Sequence, residues 1–299
     1  VIDREVRKGP ENTPQKGEDD MAEAGEIITS RQNRTVVEVG KLSDRRAREV
    51  AGLFRFDGIK LLREAVRNRL EMPLLLLRES CAETVGAALQ ESDGMPLSAC
   101  ADRVLTLADG VFDKISEEKS PEGVICVAKY IDKCEKIATI YSDGKIPGRE
   151  ETVVLLESVR DPANIGAIIR SAAALGVDRL IISADCADVY NAKAVRASMG
   201  TLFSQRIDRV GDLPGIIGQL RTRGRRVFAA ALDPAAVRLG SFAVQPGDCV
   251  VIGNEGHGLS DAVLQAADRR VFIPMSGRAE SFNAAVAAAL LMWEFRGGR

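Results

Sequence analysis

Two rhythms of apolar and polar residues run along this chain. In the second half, short unbroken apolar runs (VVLL at 153–156, LII at 180–182, CVVI at 249–252) alternate with stretches whose apolar residues fall three and four apart. A strand that is apolar at every position is buried on both faces, so the pattern predicts a parallel sheet covered by helices on either side. Predicted strands are 152–157, 179–183, 226–232, 249–253 and 269–275. Predicted helices are 164–176, 191–200, 213–224, 259–268 and 281–295. Gly176, Gly200 and Gly224 stand where helix stops belong.

The first half carries the same alternation in a smaller unit. A helix is expected over 34–54 with Ser43 or Asp44 as a cap, then a strand at 54–58, a helix at 59–68 and a strand at 73–77. A helix at 83–91, a turn at 93–96 and a strand at 122–130 complete it. The expected class is therefore α/β throughout. Residues 1–23 are rich in charge, Pro and Gly and read as a disordered extension without the apolar stretch of a signal peptide. A smaller α/β domain follows at 24–135, a linker at 136–151 and a second domain at 152–299.

Composition narrows the chemistry. No apolar run approaches the roughly 20 residues of a membrane helix, so no membrane association is expected. The six cysteines (81, 100, 126, 134, 186 and 249) form no C-x-x-C pair, and His257 is the sole histidine. That argues against a metal site, a disulfide framework and a Ser-His or Cys-His catalytic unit, and suits free thiols in a reducing cytoplasm. Net charge is only −2, yet residues 31–69 hold eleven Lys/Arg against five acids. Such a stretch is either a set of solvated helix faces or a surface that tracks a phosphate backbone.

In parallel sheets covered on both faces, ligands bind at the carboxyl ends of the strands. Three polar loops fall there. ESVRDPANIGAIIRSA (157–172) places Asn164 at an expected helix start and Arg170 within an otherwise apolar helix. That arginine is either solvated or functional. VVIGNEGHGLS (250–260) brings Gly253, Gly256 and Gly258 for close backbone approach, Asn254 beside them, and Glu255 as a catalytic or an orienting carboxylate. The order is not the dinucleotide fingerprint, and no phosphate-binding G-x-x-x-x-G-K-[ST] is present, which argues against a nicotinamide oxidoreductase and a P-loop nucleotidase. VFIPMSGRAESFNAAVAAALL (271–291) ends a strand at Pro274, offers Ser281 as a cap, and puts Asn283 in the first turn of an alanine-rich helix.

Taken together, DPANIGAIIRSAAALGVD, VVIGNEGHGL and FIPMSGRAESFNAAVAAALLMWE resemble, in order and spacing, the three motifs of the SpoU-type (TrmH-like) RNA ribose 2'-O-methyltransferases of the SPOUT class. KAVRASMGTLF (193–203) is similar to a further family segment and adds Arg196 and Ser198. The first half, through ITSRQNRTVVEVGKLSDRRAR, FDGIKLLREA and SPEGVICV, is similar to the ribosomal-protein-like substrate-binding domain often fused to it. The resemblance implies a deep trefoil knot in the C-terminal sheet, homodimerisation through that domain with Trp293 and Phe295 as partner contacts, and S-adenosylmethionine with no metal. Carried over, Arg170, Asn164, Glu255, Ser281 and Asn283 are the catalytic set. Gly253, Asn254, Gly256, Ile273, Pro274, Met275, Ser281, Phe282 and Asn283 hold the cofactor. Arg31, Asn33, Arg34, Arg45, Arg46 and Arg48 face RNA. The expected reaction is methylation of a ribose 2'-hydroxyl in structured RNA, ribosomal rather than transfer RNA. A transfer-RNA methylase and a non-catalytic RNA-binding homologue are the alternatives.

Overall fold

The structure, a computed structural model, describes residues 27–131, 146–254 and 256–296. The expected extension at 1–23, Cys134, most of the expected linker and Glu255 lie outside the described residues.

The N-terminal sheet contains β1 (Ile27–Ile28), β2 (Leu53–Asp57), β3 (Leu74–Arg78), β4 (Val104–Leu107) and β5 (Val124–Lys129), in the order β1-β4-β3-β5-β2. Strands β1, β4 and β3 are parallel, and β5 is antiparallel to both β3 and β2. Helices α1 (Arg34–Lys41), α2 (Arg45–Ala51), α3 (Ile59–Arg67), α4 (Ala82–Asp93) and α5 (Asp109–Ile115) surround it. The single helix expected over 34–54 is two. The side chain of Asn33 caps α1, and that of Asp44 caps α2 by accepting from the Ala47 N–H at 3.0 Å.

The second sheet is entirely parallel: β6 (Val153–Leu156), β7 (Arg179–Ser183), β8 (Arg206–Val210), β9 (Val227–Ala230), β10 (Val237–Arg238), β11 (Cys249–Ile252) and β12 (Arg269–Phe272). Their order is β10-β12-β9-β11-β6-β7-β8. The chain steps outward from β6 to β8 and then crosses to β9 on the other side of β6. Its helices are α6 (Pro162–Ala174), α7 (Ala192–Ser198), α8 (Leu213–Thr222), α9 (Asp261–Ala266) and α10 (Ala284–Phe295). Successive strand residues feed opposite faces: Val154, Leu156, Val250 and Ile252 enter one core, and Val153, Leu155, Cys249 and Val251 the other.

The first of those cores continues into the N-terminal sheet through Phe54, Phe56, Leu75 and Cys126. At the joint, Tyr130 stacks on Tyr190 with ring centroids 4.1 Å apart, and Phe54 lies 4.7 Å from Tyr190. Arg48 pairs with Asp188 at 2.6 Å, and Arg196 pairs with Glu118. Burial, with the Asp188 carboxylate adding to it, pushes the Tyr130 hydroxyl up to about 12. Among the described residues, no helix is long and apolar enough to cross a membrane.

Candidate active site

The carboxyl ends of β9, β11 and β12, neighbours in the sheet, open into a cavity of about 280 Å³. Small-molecule sites start at about this size. Of the expected cofactor residues, Gly253, Asn254, Ile273, Met275, Ser281 and Phe282 line it, whereas Gly256, Pro274 and Asn283 do not. Sequence reasoning missed one wall, Ala230, Ala231 and Leu232 after β9. Ala284, Ala287 and Leu291 face the cavity from α10, two of them among the alanines whose small size allows close approach. The lining is chiefly apolar, with Asn254 and Ser281 as its polar side chains.

The loop after β11 is tightly closed. An added Cβ on Gly253 would sit 2.4 Å from the Gly258 carbonyl carbon and 2.7 Å from the Leu259 nitrogen, so only glycine fits. Asn254 and Gly258 form a backbone bridge, and Asn254 Oδ1 accepts from the Gly256 and His257 N–H groups at 2.8 and 3.2 Å. Asn254 Nδ2 donates to the Ser158 carbonyl at 2.8 Å, tying this loop to the one after β6. Glu157, also in that loop, accepts from the Ser260 N–H and hydroxyl at 2.8 and 2.6 Å.

Two helix starts meet beside the cavity, and both correct the sequence reading. Asn283, not Ser281, caps α10: its Oδ1 accepts from the Ala285 and Val286 N–H groups at 2.9 and 3.4 Å. Asp161, not Asn164, caps α6, with Pro162 in its first turn. Asn164 instead accepts from Asn283 Nδ2 at 2.9 Å, joining the two helices. Arg170 lies six residues further along α6, exposed and without a carboxylate partner among the described residues. At 100° per residue it points about 120° around the helix from Asn164.

The expected RNA face divides. Arg34 and Arg45 pair with Glu38 and Glu49 on exposed helix faces, and Arg46 is exposed. Arg31 donates to the Gly110 carbonyl at 3.3 Å. The side-chain oxygen of Asn33 is engaged in capping. Arg48 leaves the set: it is 3% exposed and donates to the Leu42 and Ser43 carbonyls as well as to Asp188. Phe295 is buried rather than available to a partner, while Trp293 is exposed.

Residues 151–293 match the SpoU rRNA Methylase family, and residues 33–126 match the MRM3-like substrate binding domain. The chain is 30% identical over 289 residues to a 23S rRNA (uridine(2479)-2'-O)-methyltransferase of Streptomyces viridochromogenes, covering 91% of this chain and 92% of the relative. The chain belongs to the SpoU rRNA methylase family. A second relative is the 23S rRNA (guanosine(2553)-2'-O)-methyltransferase RlmP of Bacillus subtilis, 28% identical over 90% of this chain and 99% of its own. Among solved structures, the SpoU methyltransferase AviRb from Streptomyces viridochromogenes in complex with AdoMet superposes with a TM-score of 0.70 at 28% identity, covering 88% of this chain and 98% of that one. The AdoMet-bound rRNA methyltransferase from Sinorhizobium meliloti gives 0.72 at 27%, covering 91% and 97%. Both agree with the family in fold: a parallel α/β sheet with a smaller N-terminal domain.

Proposed function

We propose that this chain methylates a ribose 2'-hydroxyl in ribosomal RNA with S-adenosylmethionine as donor. The observation that carries the reading is the cavity at the β9, β11 and β12 ends, joined through Asn283 and Asn164 to the helix that bears Arg170. Its apolar walls suit an adenine ring, and the backbone of Gly253, Ile273 and Met275 offers hydrogen bonds at its rim. The cofactor, when bound, supplies the activated methyl group. The chain's own work is positioning and field. Arginine side chains stay protonated throughout the working pH range. Arg170 therefore acts electrostatically, favouring negative charge on the attacking hydroxyl and holding a neighbouring phosphate. Ser281 and Glu255 complete the polar set.

The N-terminal half presents Arg31, Arg34, Arg45 and Arg46 to the RNA backbone. The active form is a homodimer. Val286, Leu290 and Trp293, spaced four and three apart on α10 and 47%, 40% and 50% exposed, make the apolar stripe that a second copy covers. Such a partner also gives Arg170, turned away from Asn164, a site to face. Free thiols at the five described cysteines suit the cytoplasm.

Titration with S-adenosylhomocysteine, followed by methyl transfer from labelled donor to ribosomal and transfer RNA, tests the reading. One binding site per chain and label at a ribose of ribosomal RNA are expected. A folded protein that binds no S-adenosylhomocysteine overturns it, and label confined to transfer RNA overturns the substrate.

A further inference from the structure

Ser158, just past β6, is held in an unusual way. Its φ of +54° lies in the left-handed region, which a non-glycine residue enters at a cost. All three of its polar groups are engaged. The N–H donates to Ser183 Oγ at 2.9 Å, the hydroxyl donates to the Asp185 carboxylate, and the carbonyl accepts from Asn254 Nδ2 at 2.8 Å. Asp185 also accepts from Ser183 Oγ at 2.6 Å and faces Arg160 at 3.5 Å. The loop carrying Asp185 is itself fixed: Arg209 donates to the Ala184, Cys186 and Ala187 carbonyls, each at 2.9 Å, and the Ala187 N–H donates to the Val159 carbonyl at 2.8 Å.

We infer that Asp185 is a positioning residue: by anchoring Ser158 in its left-handed turn it aims the Ser158 carbonyl at Asn254 and so fixes the cofactor loop against the start of α6. Asp185 does not line the cavity, and its effect passes through Ser158 and Asn254. This rests on the cofactor site proposed above. The same turn leads directly into α6 at Asp161 and Asn164, so a loosened Ser158 also shifts the start of that helix.

The test compares the full-length wild type with Asp185→Asn, Ser158→Gly and the double variant, reading the dissociation constant for S-adenosylhomocysteine and the kcat and KM of methyl transfer to ribosomal RNA. Asp185→Asn is expected to weaken S-adenosylhomocysteine and lower kcat by about tenfold each, with KM for RNA unchanged. Glycine adopts a positive φ without an anchor, so the double variant is expected to return to within about threefold of wild type. Thermal unfolding of each protein verifies that it is folded. Wild-type behaviour of Asp185→Asn, or a double variant no better than Asp185→Asn, overturns the inference. If wild type itself binds no S-adenosylhomocysteine, the proposed function fails and the inference with it.

Discussion

Asn283 shows how much one side chain can hold. Its oxygen caps α10 while its nitrogen bonds Asn164 of α6, so Asn283→Ala removes a cap and an interhelical bond together. The expected loss is about 1 kcal/mol of stability for the cap, with a weakened S-adenosylhomocysteine affinity measured by calorimetry. Arg170→Ala should behave differently: unchanged cofactor affinity with methyl transfer lowered about a hundredfold, on the scale of removing one charge-stabilising group. Cysteine chemistry gives a further readout. Burial pushes the Cys249 thiol up to about 11, against the nearby Arg225, and raises Cys126 well above its ordinary range, so a thiol reagent at pH 8 should modify partly exposed Cys81 before either. At this scale the sequence was readable where a residue type has one use. It was not readable where types compete, as when Ser281 and Asn283 were both cap-competent. Ser158 carried no signal at all, because its left-handed turn is held by partners 25, 27 and 96 residues away.

Among elements, α6 and α7 pack tightly where Gly166 lets the helices meet. A Cβ there would lie 2.3 Å from the Ala194 carbonyl oxygen, so Gly166→Ala should cost roughly 1–3 kcal/mol in a denaturant melt. The loop between β7 and α7 carries a pH dependence. Burial raises the Asp185 carboxyl, but the hydroxyls of Ser158 and Ser183 and the Arg160 guanidinium outweigh it and hold the group below the usual carboxylate range. Its stabilisation is thus complete above about pH 4 and is lost as pH falls through the lower folded value, visible as a falling melting temperature in acid. The unbroken apolar strands were legible because burial on both faces leaves no polar positions. Strand β8 was not: RIDRV sits at the sheet edge, where Arg209 gathers loop carbonyls and Asp208 pairs with Arg179. Strand β4 and helix α5 also escaped, being short and broken from their neighbours by turns.

Across the whole molecule, the two sheets share one core and a few specific ties. Arg48→Ala would leave the Asp188 carboxylate without its guanidinium and two backbone carbonyls unpaired at a buried joint. A loss of about 3 kcal/mol is expected, in a melt that keeps a single transition. Leu290→Glu with Trp293→Glu should convert the proposed dimer to monomers in light scattering, and unchanged mass would remove α10 as the interface. The basic stretch at 31–69 showed that composition can name a surface but not which of its members face outward, since the burial of Arg48 depends on Asp188, 140 residues away. The aromatic joint of Phe54, Tyr130 and Tyr190 has a consequence of its own. A pair of calipers locked at one opening measures a single distance, and a methyltransferase whose proposed RNA-holding half is fastened through these rings to the half with the cavity would do the same. On the proposed function, the nucleotide modified would then be chosen by its distance from the RNA segment that the N-terminal half holds, more than by the base it carries.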